Sequence, residues 1–463
     1  MAWGIGANDV ANAFATSVGA GSLSLKWACV IAAVMEFLGA FLMGGSVTDT
    51  VRKKIIDTDV FDPVSDEGAA NGPELLMTGF LVALLASTTW LIIATYLSLP
   101  VSTTHSVIGS LIGVGLAFRG GSAVVWISEG SGFSKLKGVV GVVLSWVISP
   151  VLSAVFAIIM FLLVRTLVLR RPEPFKAGLM FMPLFYGFTI AVTIFFIIYK
   201  GDKRFSLSKK LSVGVAIGIA IGGGAVIAIL SWFLIVPLAK KNVDEDVVRM
   251  HGNVEVFDLK TERLFSWIQV FTAAFDAFAH GANDVANAIA PFSSIYQLYR
   301  NNGQISKQPV PLWILALGGV GIVAGLAMWG YRIIIAIGVK LTKLTPARGF
   351  SIEIGAAITV IIASRIGLPV STTHCQVGAT MGVGLIEFKK STVNWKQFLF
   401  ICIGWVFTVI FTGFLSAGLF ATLTYSPSNF RVPQGDLNYC PGNRLFQFNE
   451  ESNEFQGIGC SGF

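Results

Sequence analysis

Residues 6–13 read GANDVANA, and residues 281–288 read GANDVANA again; residues 99–105 read LPVSTTH, and so do residues 368–374. The copies lie 275 and 269 positions apart, so each half of the chain keeps the two cassettes in the same order at nearly the same spacing. The chain is a duplicated structure, and both copies carry the same polar residues. Asn, Asp, Ser, Thr and His stand here inside sequence otherwise suited to hydrocarbon. Polar groups at membrane depth are costly, and they mark a substrate or ion path.

The setting follows from composition. Over 463 residues the chain is 54% hydrophobic and only 13% charged, with a mean hydropathy of +0.73, which excludes a soluble globular protein. Uncharged stretches at 75–98, 139–164, 178–199, 211–239, 311–331 and 398–425 are each long enough to cross a bilayer as helix. Segments around 1–20, 24–48, 102–118, 264–298, 351–367 and 371–386 are apolar but interrupted by Gly, Pro, Ser, Asn or a lone acid. The expectation is an all-α polytopic membrane protein of about ten to twelve transmembrane segments with broken or re-entrant half-helices. It divides into a first repeat (1–168), a connecting pair of spans with a short linker (169–262), a second repeat (263–425) and a polar tail (426–463). Met1 leads into the first cassette with no basic leader or cleavage site. In the second copy apolar residues 264–279 precede Gly281, which predicts a half-helix ahead of Gly6.

A net charge of +7 invites a nucleic-acid reading, but the basic residues sit in short loops between spans and form no single soluble face. No nucleic-acid partner is expected; the bilayer is. Loop 165–176 carries Arg165, Arg170, Arg171 and Lys176, loop 200–210 is equally basic, and one span separates them, so the positive-inside rule points to both sides at once. The mixed-charge segment 240–263 reads as a cytosolic linker. Cys29, Cys375 and Cys402 lie in apolar segments as packing residues; Cys440 and Cys460 stand in the tail, where a disulfide is allowed if the tail is extracellular. The glycines at 214, 218, 222, 223 and 224 predict close helix packing.

Within each GANDVANA cassette, Asn8 and Asn12, or Asn283 and Asn287, are four apart, and Asp9 and Asp284 fall three before the second Asn, so all share a helix face. Gly6 and Gly281 suit a helix interrupted at membrane depth, where carboxylate, amide and carbonyl oxygens bind a hard cation. In LPVSTTH, Pro100 and Pro369 end one helix and the Ser-Thr-Thr begins another. The new N-terminus with Ser102, Thr103, Thr104, Ser371, Thr372 and Thr373 forms an anion cradle, and two such ends facing each other suit a tetrahedral oxyanion. Three of four histidines adjoin the motifs: His105, His280 and His374. They are open to structural roles, anion contact or proton handling; zinc would need converging ligands that the spacing does not offer. Symmetry breaks at Ile5, which stands where His280 does, and at the lone acids Glu36 and Glu353, which Pro311 and Leu84 answer. A lone acid in a span carries a proton or cation, or clamps a helix through an ion pair. Asp276 is of the same kind.

These duplicated cassettes, above all FAHGANDVANAIAP at 278–291 and IGLPVSTTH at 366–374, resemble the inorganic phosphate transporter (PiT) family, solute carrier family twenty, in its eukaryotic sodium-phosphate symporter type. The resemblance spans nearly the whole chain. It implies two inverted repeats and cation-coupled symport of inorganic phosphate by alternating access. Phosphate would be held by Ser102, Thr103, Thr104, Ser371, Thr372 and Thr373. Sodium would be held by Asn8, Asp9, Asn12, Asn283, Asp284 and Asn287, with Glu36 and Glu353 in coupling. It implies no cofactor beyond sodium as coupling ion, residence in the plasma membrane, and room for a homodimer. The linker is short beside the large cytosolic loop of animal members. A proton-coupled carrier using Glu36, Glu353 or a histidine, and an anion channel, remain the other readings; no nucleophile, base and orienter set points to an enzyme.

Overall fold

The apolar runs become helices because a backbone in hydrocarbon must satisfy its own hydrogen bonds. In the computed structural model, which describes residues 1–51, 61, 71–127, 138–200, 211–241, 255–303, 309–338, 340–342, 344–366, 370–386, 392–425, 445–449 and 454–458, they appear in chain order as follows. α1 spans Ala2–Asn8, α2 Ala11–Gly19, α3 Leu25–Val51, α4 Gly72–Tyr96, α5 Thr103–Arg119, α6 Val139–Val164 and α7 Pro174–Lys200. α8 spans Val213–Lys241, α9 Leu259–Arg300, α10 Leu312–Trp329, α11 Tyr331–Gly338, α12 Pro346–Ile366, α13 Thr372–Leu385 and α14 Trp395–Thr424. Two tail strands, Leu445–Asn449 and Glu454–Ile458, pair antiparallel. The six uncharged stretches correspond to α4, α6, α7, α8, α10 and α14. Among the described residues eight helices are long and apolar enough to cross a membrane by length and composition alone. The polar-interrupted segments supply the others, so this is a multi-pass integral membrane protein.

Several hydroxyls inside these helices back-bond to the carbonyl one turn earlier, as Thr95 does to Leu91, Ser110 to Ser106, Thr189 to Phe185 and Thr408 to Gly404, which pairs their O–H groups within the helix. The predicted break at the cassettes occurs in the first copy, where Asp9 and Val10 separate α1 from α2, but not in the second, which lies inside the unbroken 42-residue α9. Gly6 and Gly281 therefore do not act as breakers. A Cβ on Gly6 would overlap the carbonyl oxygen of Ile322, and one on Gly281 the carbonyl oxygen of Glu36: both are sites of close backbone approach. The glycines of α8 divide. Gly223 and Gly224 pack against Ile194, Gly187 and Ala191 of α7, whereas Gly218 and Gly222 face open space.

The same contacts correct the pairing of the two copies. Gly39 of α3 lies against Phe278 and Ala282, and Gly325 of α10 lies against Trp3 and Ala7. Phe278 and Ala282 are each 275 positions after Trp3 and Ala7, while Gly325 is 286 positions after Gly39, as Ile322 is after Glu36. Eleven residues have been gained between the cassette and the next helix. The counterpart of Glu36 is Ile322, not Pro311.

The halves are interlocked. α3 packs chiefly on α9, α1 on α10, α5 on α14 and α6 on α13, and each of these contacts joins one half to the other. Buried apolar side chains gather into one core around α1, α2, α3, α10 and α11, including Phe14, Ile314 and Ile322, and into two flanking cores. One flank is built on Phe161, Phe265 and Phe350, the other on Phe80, Val107 and Phe420. On the polar ends, Arg170 makes a bidentate pair with Glu255 at 2.9 Å for both bonds, tying the end of α6 to the lead-in of α9. The tail cysteines 440 and 460, His251 and Pro369 lie outside the described residues.

Candidate functional site

The centre of the molecule is assembled from the N-termini of α5 and α13, the break between α1 and α2, and the middle of α9. Ser102 and Ser371 are the N-caps of α5 and α13, each accepting from the backbone N–H three residues on, His105 at 3.3 Å and His374 at 3.4 Å. Capping leaves the following threonine hydroxyls free to point off the helix end. They meet the carboxylates of the other cassette type. Thr103 Oγ1 donates to Asp9 Oδ2 at 2.6 Å, and its counterpart Thr372 Oγ1 donates to Asp284 Oδ2 at 2.9 Å. The Thr103 backbone N–H also points at Asp9 Oδ2, at 3.4 Å. Thus the helix end that would attract an anion is serving a carboxylate of its own chain.

The second pair of contacts crosses between halves. Asn12 Nδ2 donates to Thr373 Oγ1 at 3.0 Å, and Asn287 Nδ2 donates to Thr104 Oγ1 at 3.1 Å and to Thr103 Oγ1 at 3.0 Å. Asn12 also donates to Asp9 Oδ1 at 2.5 Å, and Asn287 to Asp284 Oδ1 at 3.2 Å, the i, i+3 geometry the cassettes predict. Thr373 Oγ1 reaches Asp9 Oδ1 at 2.6 Å. Eight predicted residues, Asp9, Asn12, Thr103, Thr104, Asp284, Asn287, Thr372 and Thr373, therefore form one hydrogen-bonded centre. Asn283 borders it, 3.3 Å from Asp284 Oδ1.

His280 completes it on one side only. Its Nδ1 lies 3.0 Å from both carboxylate oxygens of Glu36, and its Nε2 lies 2.9 Å from Asp284 Oδ2, off the angle for a linear hydrogen bond. One ligand atom each from Asp9, His280 and Asp284 falls within 4.8 Å of the others. Carboxylates this close, nearly excluded from solvent at 2% exposure for Asp9 and 1% for Asp284, repel strongly at low dielectric and call for a cation between them. An oxygen-rich set of this kind suits an alkali cation. The symmetry-related places of His280 and Glu36 are taken by Ile5 on α1 and Ile322 on α10, both fully buried.

Other predicted residues take different places. Asn8 is a clamp: its amide donates to Thr95 Oγ1 and the Leu99 carbonyl at 3.0 Å each, and its oxygen accepts from the Val101 N–H at 2.9 Å. It satisfies the stretch that Pro100 keeps out of helix. Glu353 lies apart, accepting from Thr16 Oγ1 at 2.7 Å, Ser17 Oγ at 2.8 Å and Gln269 Nε2 at 3.4 Å, and from Thr272 Oγ1. His105 and His374 face each other with ring centroids 4.6 Å apart, flanked by Trp146 and Trp405, away from the cassette carboxylates. Thr16, Ser17, Gln269 and Thr272 were not singled out in sequence. The signal for Gln269 and Thr272 is the polar stripe of α9, in which Gln269, Thr272, Asp276, His280, Asp284 and Asn287 recur at three or four residues.

Comparison with known proteins places this geometry. The phosphate transporter family model matches residues 5–416. The chain is 41% identical to a relative in Pyrococcus abyssi, over 91% of this chain and 95% of that one. It is 30% identical to the phosphate-repressible phosphate permease pho-4 of Neurospora crassa, over 92% and 96%. A solved structure named the sodium-dependent phosphate transporter superposes with a TM-score of 0.76 at 34% identity, covering 92% of this chain and 96% of that one. This is a transport family and not an enzyme family, and phosphate is its substrate. The chain belongs to the phosphate transporter family.

Proposed function

We propose that the protein is a sodium-coupled symporter of inorganic phosphate in the plasma membrane, with the Ser-Thr-Thr helix ends as the phosphate cradle and Asp9 and Asp284 as the cation ligands. One observation carries the reading. The threonine hydroxyls suited to an anion are donated to Asp9 and Asp284 instead. A cation on the carboxylates takes over those oxygens, turns the hydroxyls and the α5 and α13 N–H groups toward the cradle, and removes the negative charge that repels phosphate. Phosphate without sodium meets two buried carboxylates; sodium with phosphate closes a neutralised site. The name of the solved relative, a sodium-dependent transporter, supports the choice of ion.

Alternating access follows from two inverted repeats around this centre, but the moving bodies differ from the sequence halves. Because α1 packs on α10 and α9 on α3, the halves cannot rock as separate blocks. The groups α4, α5, α14 and α6, α12, α13 move instead against the central α1, α2, α3, α9, α10 and α11.

The test is radiolabelled phosphate uptake into proteoliposomes under an inward sodium gradient, and under an inward proton gradient without sodium, beside Asp284→Asn. Sodium-driven accumulation that the variant loses is the expected outcome. The second reading, proton coupling, draws on His280 held between Glu36 and Asp284; accumulation driven by protons alone would establish it, and dissipation of a phosphate gradient without coupling would establish a channel.

A further inference from the structure

His105 and His374 hold the same place in α5 and α13, the third residue of each helix, directly after the threonines of the cradle. Both are fully buried, and their backbone N–H groups are taken by the capping Ser102 and Ser371. No ring nitrogen of either has a hydrogen-bond partner among the described residues, so shape and not hydrogen bonding holds these rings. They stand in a row of four: Trp146 of α6, His105, His374 and Trp405 of α14, with successive ring centroids 5.4, 4.6 and 3.7 Å apart. Such spacings are ring-to-ring contact throughout.

The tryptophans are a symmetry-related pair, as the histidines are. His374 follows His105 by 269 positions and Trp405 follows Trp146 by 259. The same two offsets relate the packing of Gly109 on Val409 to that of Gly378 on Pro150. α5 packs chiefly on α14 and α13 on α6, while α5 and α13 do not pack along each other. Every ring contact in the row nevertheless joins the α4, α5, α14 group to the α6, α12, α13 group, because it runs from α6 to α5, from α5 to α13 and from α13 to α14. An oxyanion held by both helix ends at once needs them at one separation, to within about 0.5 Å, since donors on each side must reach its oxygens. Flat, buried rings stacked between the two ends are a rigid spacer of this kind.

We infer that His105 and His374, braced by Trp146 and Trp405, are positioning residues that fix the separation of the two cradle ends and so select the oxyanion by size, favouring phosphate over arsenate, which has the same shape and longer bonds. The row keeps that separation while the two groups move against the central helices. The inference rests on the reading of the Ser-Thr-Thr helix ends as the phosphate cradle, and it gives the two histidines a part in selectivity through packing.

Two measurements on the full-length protein test it. The first is equilibrium binding of radiolabelled phosphate to the purified protein in sodium, with arsenate as competitor, read as the ratio of arsenate to phosphate affinity. The second is the distance between spin labels on Leu116→Cys of α5 and Leu385→Cys of α13, both at exposed positions, in a background without the native cysteines. The variants are His374→Ala, Trp405→Leu and the double His105→Phe/His374→Phe, each first checked for a monodisperse fold. His374→Ala and Trp405→Leu should move the ratio toward arsenate by about tenfold, the low end of what one methylene of pocket space is worth. His374→Ala should also broaden the label distance. The double phenylalanine variant, which keeps the ring row without its nitrogens, should hold the ratio within about twofold of the unmodified protein. A role confined to stability would lower yield and melting temperature and leave the ratio where it was. The inference is overturned by a ratio unchanged in both His374→Ala and Trp405→Leu, and equally by an unmodified protein that takes phosphate and arsenate alike. If the unmodified protein binds no phosphate, the cradle reading fails instead; the label distance then decides whether the rings space the helices, and an unchanged distance in His374→Ala overturns that too.

Discussion

Two asparagines of one copy of the repeated motif do different work. Asn8 satisfies the Leu99 carbonyl and the Val101 N–H, while Asn12, four residues on, bonds Asp9 and Thr373. Asn8→Ala leaves two buried backbone groups unpaired, at about 1–3 kcal/mol each, so it should lower the melting temperature while the folded fraction keeps its half-saturating sodium. Thermal unfolding beside uptake measures both; an altered sodium dependence at normal stability would place Asn8 among the ligands. Thr373→Val removes the hydroxyl donated to Asp9 and should cut uptake far more than it lowers stability, because the isostere keeps the packing and loses only the polar contacts. The buried His280–Glu36 pair has its own test, since Ile5 and Ile322 stand at the symmetry-related places. Glu36→Ile or His280→Ile alone strands a buried polar partner, at about 3–5 kcal/mol, whereas the double change should recover most of that stability. A double variant no more stable than the singles would show the pair is not the coupled unit described here.

Among the helices, the contacts that matter most are backbone to backbone. Gly281→Ala drives a methyl into the Glu36 carbonyl, and neither α9 nor α3 can yield without separating, so the variant should lose well over the usual 1–3 kcal/mol of overpacking and express poorly. Gly222→Ala, on the open face of α8, should be neutral in the same expression and melting assay. At the polar end of α6, the hydrogen bonds from Arg170 hold the Glu255 carboxyl below its ordinary range, ahead of desolvation, which opposes them. A carboxyl depressed in the folded state contributes stability above its ordinary value of about 4.3 and loses it as pH falls through the folded value. The partly exposed pair is worth at most about 1 kcal/mol, so acidification should lower the melting temperature slightly and Arg170→Gln should flatten that slope.

For the molecule as a whole, the exchange of helices between halves sets how it folds. α1 needs α10, α5 needs α14, and neither half buries its cassette helices alone. Residues 1–241 expressed without the remainder should aggregate or be degraded, whereas co-expression with residues 255–463 should yield a co-purifying complex. A monodisperse, folded first half would contradict the interlocked core.

Read in order, the residues by themselves determined the membrane class, the duplication, and the chemical types of the site, because hydropathy, repetition and donor type are local properties of the chain. The acid and threonine cassettes were legible as partners for the same reason. The tertiary structure alone decided which residues meet. It assigned Asn8 to the backbone and Asn12 to the centre, kept α9 unbroken through its cassette while α1 and α2 separate at Asp9, set His105 and His374 against tryptophans, and matched Glu36 to Ile322. Partner choice is a long-range outcome. Eleven residues gained in one loop shift the pairing of the helix that follows it in sequence, while the close backbone approach at Gly6 and Gly281 holds the helices in register in space.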